Sequence, residues 1–168
     1  SKCNLTTAIG MVTTTKHVIE LDPGTYAEGP ITISQSMVLI GPNPGSGHQY
    51  RDPEDTTGRA VITPANGANG SVITVTGGTV ALFELTVASS KDSSGIKCTG
   101  ATLEVYHDAI RDNPKEGIAA SGCPLTIERS VFTKNGTTGT TYEGIYADSC
   151  SPIAIRNNFV FGNGNDKS

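Results

Sequence analysis

The C-terminal half of this chain repeats itself, and that repeat restricts the possible folds more than any other feature of the sequence. Three segments share one plan. They are Gly95-Ile96-Lys97-Cys98 leading to Leu103-Glu104-Val105, Gly117-Ile118-Ala119-Ala120 leading to Leu125-Thr126-Ile127, and Gly144-Ile145-Tyr146-Ala147 leading to Ile153-Ala154-Ile155. Each passes through a polar bend (Tyr106-His107-Asp108, Glu128-Arg129-Ser130, Arg156-Asn157-Asn158) into a third apolar pair (Ala109-Ile110, Val131-Phe132, Phe159-Val160). An Asn follows at 113, 135 and 163. Extended backwards, the register sets Ile73 and Val75 over Ile96 and Cys98, and Val80, Leu82 and Val87 over Leu103, Val105 and Ile110.

The steps from Val80 to Leu103 to Leu125 to Ile153 are 23, 22 and 28 residues, the spacing of a solenoid whose insertions collect in one loop. Within each short strand the apolar residues alternate, so one face points inward and stacks on its equivalent in the next coil. Leucine-rich repeats have similar periods, but they need a Leu-rich helical segment that this sequence lacks. The composition agrees: no Trp, 5% aromatic residues and 20 Gly suit short strands and tight turns.

The N-terminal section runs His17-Val18-Ile19-Glu20-Leu21-Asp22-Pro23-Gly24-Thr25-Tyr26, then Ile31-Thr32-Ile33, then Met37-Val38-Leu39-Ile40-Gly41. It resembles the first coil of the pectate-lyase-like superfamily of right-handed parallel β-helices, where a strand ends in a Pro-Gly-Thr-Tyr turn and later strands close the coil. With the repeats, the resemblance covers roughly residues 17–165. It implies an all-β, right-handed parallel β-helix of about five coils. That superfamily includes lyases, esterases, epimerases, phage tailspikes and non-catalytic surface proteins, so the likeness specifies architecture and not a reaction.

Leu5, Ala8, Ile9 and Val12 recur at helical spacing, which predicts a short amphipathic capping helix over the open end of the first coil. The expected organisation is one domain, 1–168, with a cap at 1–16, coils at 17–165 and an inserted loop at 42–59 holding three Pro and three Gly. Gly162-Asn163-Gly164-Asn165-Asp166 reads as the turn into another strand. The expectation is therefore that this is the N-terminal part of a longer protein, with further coils or a protein partner covering that end.

A net charge of −4, with twelve Lys and Arg spread along the chain, offers no concentrated basic surface for nucleic acid. No apolar run approaches the length of a membrane span, and any export signal is expected outside this sequence. The four cysteines, Cys3, Cys98, Cys123 and Cys150, include no C-x-x-C pair and no His at ligand spacing, so no metal is assigned. Cys123 and Cys150 follow their Gly-Ile pairs at the same offset, from Gly117 and Gly144. Equivalent Cα atoms in adjacent coils lie about 4.8 Å apart, so a Cys123–Cys150 disulfide is expected, in a secreted, periplasmic or cell-surface setting.

The superfamily resemblance implies that a substrate lies along the outer face of the sheet made by each coil's first strand. Outward positions there are Thr74, Lys97, Ala119 and Tyr146, with Thr76, Thr99, Ser121 and Asp148 just beyond. Thr74, Lys97, Tyr146 and Asp148 are the binding candidates; a calcium-dependent lyase needs several converging carboxylates, and Asp148 is the one carboxylate in these rows. Tyr106-His107-Asp108, near Arg111 and Asp112, is the densest ionisable cluster, and His107 and Asp108 join the candidates because His beside carboxylates suits acid–base work. The repeat assigns the same residues to a solvated turn. Asn158-Phe159-Val160-Phe161-Gly162-Asn163 resembles a pectinesterase strand, but Asn158 replaces its carboxylate nucleophile and cannot do the same covalent chemistry.

Asp52, Glu54 and Asp55 are calcium-binding candidates in the insertion, with His48 and Tyr50 as groups that can meet a sugar. No catalytic residue and no cofactor is assigned. The expected function is a non-catalytic secreted or surface-exposed β-helix module engaged in glycan binding or adhesion. The alternative is a polysaccharide-acting enzyme whose catalytic residues are incomplete in this stretch.

Overall fold

Period-2 apolar segments separated by polar bends can bury their inner faces only by stacking, and the computed structural model, which describes residues 4–42, 56–138 and 141–164, shows that stack. Three parallel sheets run along a β-solenoid. The six-stranded sheet A comprises Val18–Glu20, Met37–Ile40, Thr79–Phe83, Thr102–Tyr106, Leu125–Glu128 and Ile153–Arg156. Sheet B, also six-stranded, comprises Gly24–Gly29, Ala60–Pro64, Leu85–Ala88, Ala109–Arg111, Val131–Thr133 and Phe159–Phe161. The five-stranded sheet C comprises Ile31–Ile33, Ile73–Val75, Ile96–Thr99, Ile118–Ser121 and Ile145–Asp148.

The registers read from the repeat are those of the fold. Ile73 pairs with Ile96, Ile96 with Ile118 and Ile118 with Ile145. Val80 pairs with Leu103, and Leu103 with Leu125. Ile73, Ile96, Ile118, Leu103 and Phe132 are buried in the interior. Gly-Thr-Tyr differs from the expectation: Gly24–Gly29 is itself a strand, pairing with Ala60–Pro64, because in a parallel coil the turn before it, at Asp22-Pro23, is enough to change direction.

The coils bend sharply, and the bends use left-handed backbone. Between sheets A and B the corner residues Glu84, His107, Arg129 and Asn157 have φ of 57°, 59°, 52° and 55°. Between sheets C and A the corresponding residues include Gly100 and Gly122, at φ 63° and 64°, where a side chain would be strained. At the turn leaving sheet B, asparagines continue the bonding between coils, Asn113 and Asn135 fully buried. Asn113 Oδ1 accepts the Ser90 N–H at 3.0 Å, Asn135 Oδ1 the Asn113 N–H at 3.3 Å, and Asn163 Oδ1 the Asn135 N–H at 3.0 Å. Each Nδ2 in turn donates to a backbone carbonyl, of Arg111, Ile110 and Phe132.

The helix Leu5–Gly10 caps the first coil, with Leu5, Ile9 and Val12 buried and Asn4 Oδ1 accepting the Thr7 N–H at 2.7 Å. Residues 43–55 of the insertion lie outside the described residues. At its downstream end Arg59 is 8% exposed and its carbonyl accepts the Gly24 N–H at 2.9 Å.

The expected Cys123–Cys150 disulfide is not formed; Cys98 is bonded to Cys123, with Cα atoms 6.5 Å apart. Cys98 points inward above Ala120, and Cys123, just past the left-handed Gly122, is also fully buried. Their side chains converge inside the solenoid. Cys150 is equivalent to Cys123, but equivalent residues in stacked coils point the same way, and a bridge needs side chains that turn toward each other. Its Sγ accepts the Cys123 N–H at 3.3 Å and the thiol is free. Cys3 lies outside the described residues.

Two outcomes test this fold. Ile118→Asp places a charge in the closed interior at a cost of several kcal/mol or more, and should give no folded β spectrum in the far UV. In the oxidised protein Cys98→Ser should lower the urea-unfolding free energy by about 3 kcal/mol, and Cys150→Ser by no more than about 1 kcal/mol.

Candidate functional site

The outer face of sheet C collects four of the six binding candidates. Thr32, Thr74, Lys97, Ala119 and Tyr146 form one outward row through successive pairings. Two residues along the strands, Thr99, Ser121 and Asp148 form a second row. Lys97, Thr99, Ser121, Tyr146 and Asp148 are exposed, and Thr74 and Ala119 are half-buried. The rows exist because inward Ile and Cys at alternate positions fix which residues face solvent. The result is a face carrying hydroxyls, an ammonium, a carboxylate and, at one end, the ring of Tyr146, 47% exposed.

His107 and Asp108 lie elsewhere, at the corner between sheets A and B. His107 Nδ1 is 2.8 Å from Glu84 Oε1 of the preceding coil. Next to it the rings of Phe83 and Tyr106 stack at 4.7 Å, and Glu128 pairs with Arg156 at 3.5 Å. Burial, with the nearby carboxylates Glu104 and Glu128, raises the Tyr106 hydroxyl above its ordinary pKa. Arg111 pairs with Asp112 beyond the next strand and does not join His107.

Asp108 departs from the solvated turn read in the sequence: it is 1% exposed. Its left-handed neighbour His107 takes the outside of the corner, and the chain then turns Asp108 under the coil above. Its Oδ1 accepts the Leu85 N–H at 2.7 Å, and its own N–H donates to Ser130 Oγ at 3.2 Å. The Ser130 N–H in turn donates to Asn158 Oδ1 at 2.8 Å. Burial pushes the Asp108 carboxyl well above its usual range; the Leu85 N–H works against this, Glu84 adds to it and Arg59 opposes it.

The pectinesterase-like segment is occupied by structure. Asn158 and Asn163 hold neighbouring backbone at the two ends of strand Phe159–Phe161. His48, Tyr50, Asp52, Glu54 and Asp55 lie outside the described residues. Among the described residues, no three or more His, Cys, Asp or Glu side chains group to hold a metal ion. In the groove between the helix and the first coil, Glu28 is committed to the cap, its two oxygens each accepting at 2.9 Å from the Leu5 and Thr6 N–H groups. Burial alone would raise its carboxyl, but these bonds hold it below its ordinary pKa.

Sequence reasoning missed the structural use of Asp108 and of the corner column. The available signal was positional: Asp108, Ser130 and Asn158 are all hydrogen-bonding residues at one repeat position. No protein-family model, curated protein or solved structure matches the chain.

The left-handed corner makes a prediction of its own. A β-branched side chain at φ 59° is more strained than glycine, so His107→Val should be less stable than His107→Gly by on the order of 1–2 kcal/mol in urea unfolding.

Proposed function

We propose that this chain is a non-catalytic, surface-exposed β-solenoid module that binds an extended glycan along the outer face of sheet C. The observation that carries the reading is the pair of outward rows in register over that sheet, Thr74-Lys97-Ala119-Tyr146 and Thr99-Ser121-Asp148. Stacking sets their outward positions every ~4.8 Å, which lines up side chains along one direction, as an extended polymer of sugar units requires. Hydroxyls and the Asp148 carboxylate suit sugar hydroxyls, and the Tyr146 ring supplies an apolar face for a pyranose.

The Cys98–Cys123 disulfide is compatible with an oxidising, extracellular location. No helix among the described residues is long and apolar enough to cross a membrane.

A glycan array paired with a depolymerisation screen tests the proposal. The expected result is binding without turnover, weakened at least about tenfold, or about 1.4 kcal/mol, by Tyr146→Ala or Asp148→Ala. Glu104→Ala, on the outer side of sheet A, should leave binding unchanged. No binding to any arrayed glycan, equal effects of all three substitutions, or release of shortened oligosaccharides would overturn it.

A further inference from the structure

One corner position does the same task in successive coils with different residues. Asn158 accepts the Ser130 N–H with Oδ1 and donates Nδ2 to the Ile127 carbonyl at 2.9 Å, so both ends of its amide are used. Two coils earlier Asp108 accepts the Leu85 N–H with Oδ1. Its Oδ2 is buried without a hydrogen-bond partner, and so is the neighbouring Thr86 Oγ1. An ionised carboxylate has acceptors only, whereas a protonated one has an O–H to give. A bare negative oxygen enclosed at a fully buried corner is costly, and protonation takes the charge off it.

We propose that Asp108 is a pH-responsive latch between coils: as a neutral carboxylic acid it holds the coil entered at Leu85 against the coil entered at Ala109, and its ionisation loosens that corner. The side chains that act on it are Glu84, at the same corner of the preceding coil, which opposes ionisation, and Arg59, at the end of the insertion, which favours it. His107, on its own turn, is directed to Glu84. The coils on the other side offer Ser130 and Asn158, neither of which titrates.

The sign follows from the raised folded-state pKa. The latch's contribution to stability is fully present below the ordinary aspartate range, about pH 4, and is lost as pH rises through the higher folded value. Asp108→Asn keeps the shape and removes the titration.

The test is thermal unfolding of wild type and Asp108→Asn between about pH 4 and about pH 9, with amide exchange followed at Leu85 and Ser130. Ser130 is the internal control, because its N–H is held by the non-titrating Asn158. The expected result is that the two proteins melt together in acid and that Asp108→Asn melts progressively higher as pH rises. In wild type the protection of Leu85 relative to Ser130 should fall over the same range, and in Asp108→Asn it should stay constant. A melting difference independent of pH, or a constant Leu85-to-Ser130 ratio in wild type, would overturn the latch. If Asp108→Asn does not fold, the wild-type exchange ratio and a carbon-13 titration of the Asp108 carboxyl decide alone: a carboxyl already ionised at about pH 5 refutes the proposal.

Discussion

The corner hydrogen bonds between successive coils are the interaction on which the rest of this structure depends. Along the strands the parallel ladder satisfies the backbone, but at the bends into and out of sheet B it leaves an N–H that would be buried without a partner, at a cost of about 1–3 kcal/mol each. Side chains fill those gaps: Asn113, Asn135 and Asn163 leaving sheet B, and Asp108, Ser130 and Asn158 entering it. Because each supports the coil before it, the bonds set the pitch and the register together. The Ile column and the outward rows of sheet C inherit their alignment from them.

The parts of this fold legible in the sequence were those in which the same requirement recurs unchanged. Ile73, Ile96, Ile118 and Ile145 face one interior at one level of the coil, so the residue type repeats and the register can be read directly. The sheet C rows follow from that register by alternation alone. The corners were not legible, because Glu84, His107, Arg129 and Asn157 satisfy a backbone requirement, positive φ, that places little demand on side-chain chemistry. Polar residues at such sites look like any solvated turn, and Asp108 was read with them although it sits one residue further on and inside.

The disulfide shows a second reason for the limits of pattern reading. Equal offsets from Gly117 and Gly144 correctly made Cys123 and Cys150 neighbours, as the 3.3 Å contact between the Cys123 N–H and Cys150 Sγ shows. Proximity was not sufficient. Translation along the solenoid preserves side-chain direction, so the partner for Cys123 had to come from a non-equivalent position, and Cys98 on the neighbouring strand Ile96–Thr99 of the same sheet supplies it.

That bond also determines how the molecule can come apart. In a solenoid each coil contacts only its neighbours, so opening proceeds like a zip from the less protected end. The least protected described coil is the last, where Ile153, Phe159 and Phe161 are 47%, 47% and 52% exposed. Fraying that starts there can peel away strands Ile145–Asp148, Ile153–Arg156 and Phe159–Phe161 one after another. It then meets the coil that Cys123 fastens to Cys98. A pulling force applied at the same end would pass from Cys123 straight to Cys98, so while the bond is intact residues 99–122 are kept out of the line of force and cannot be extended.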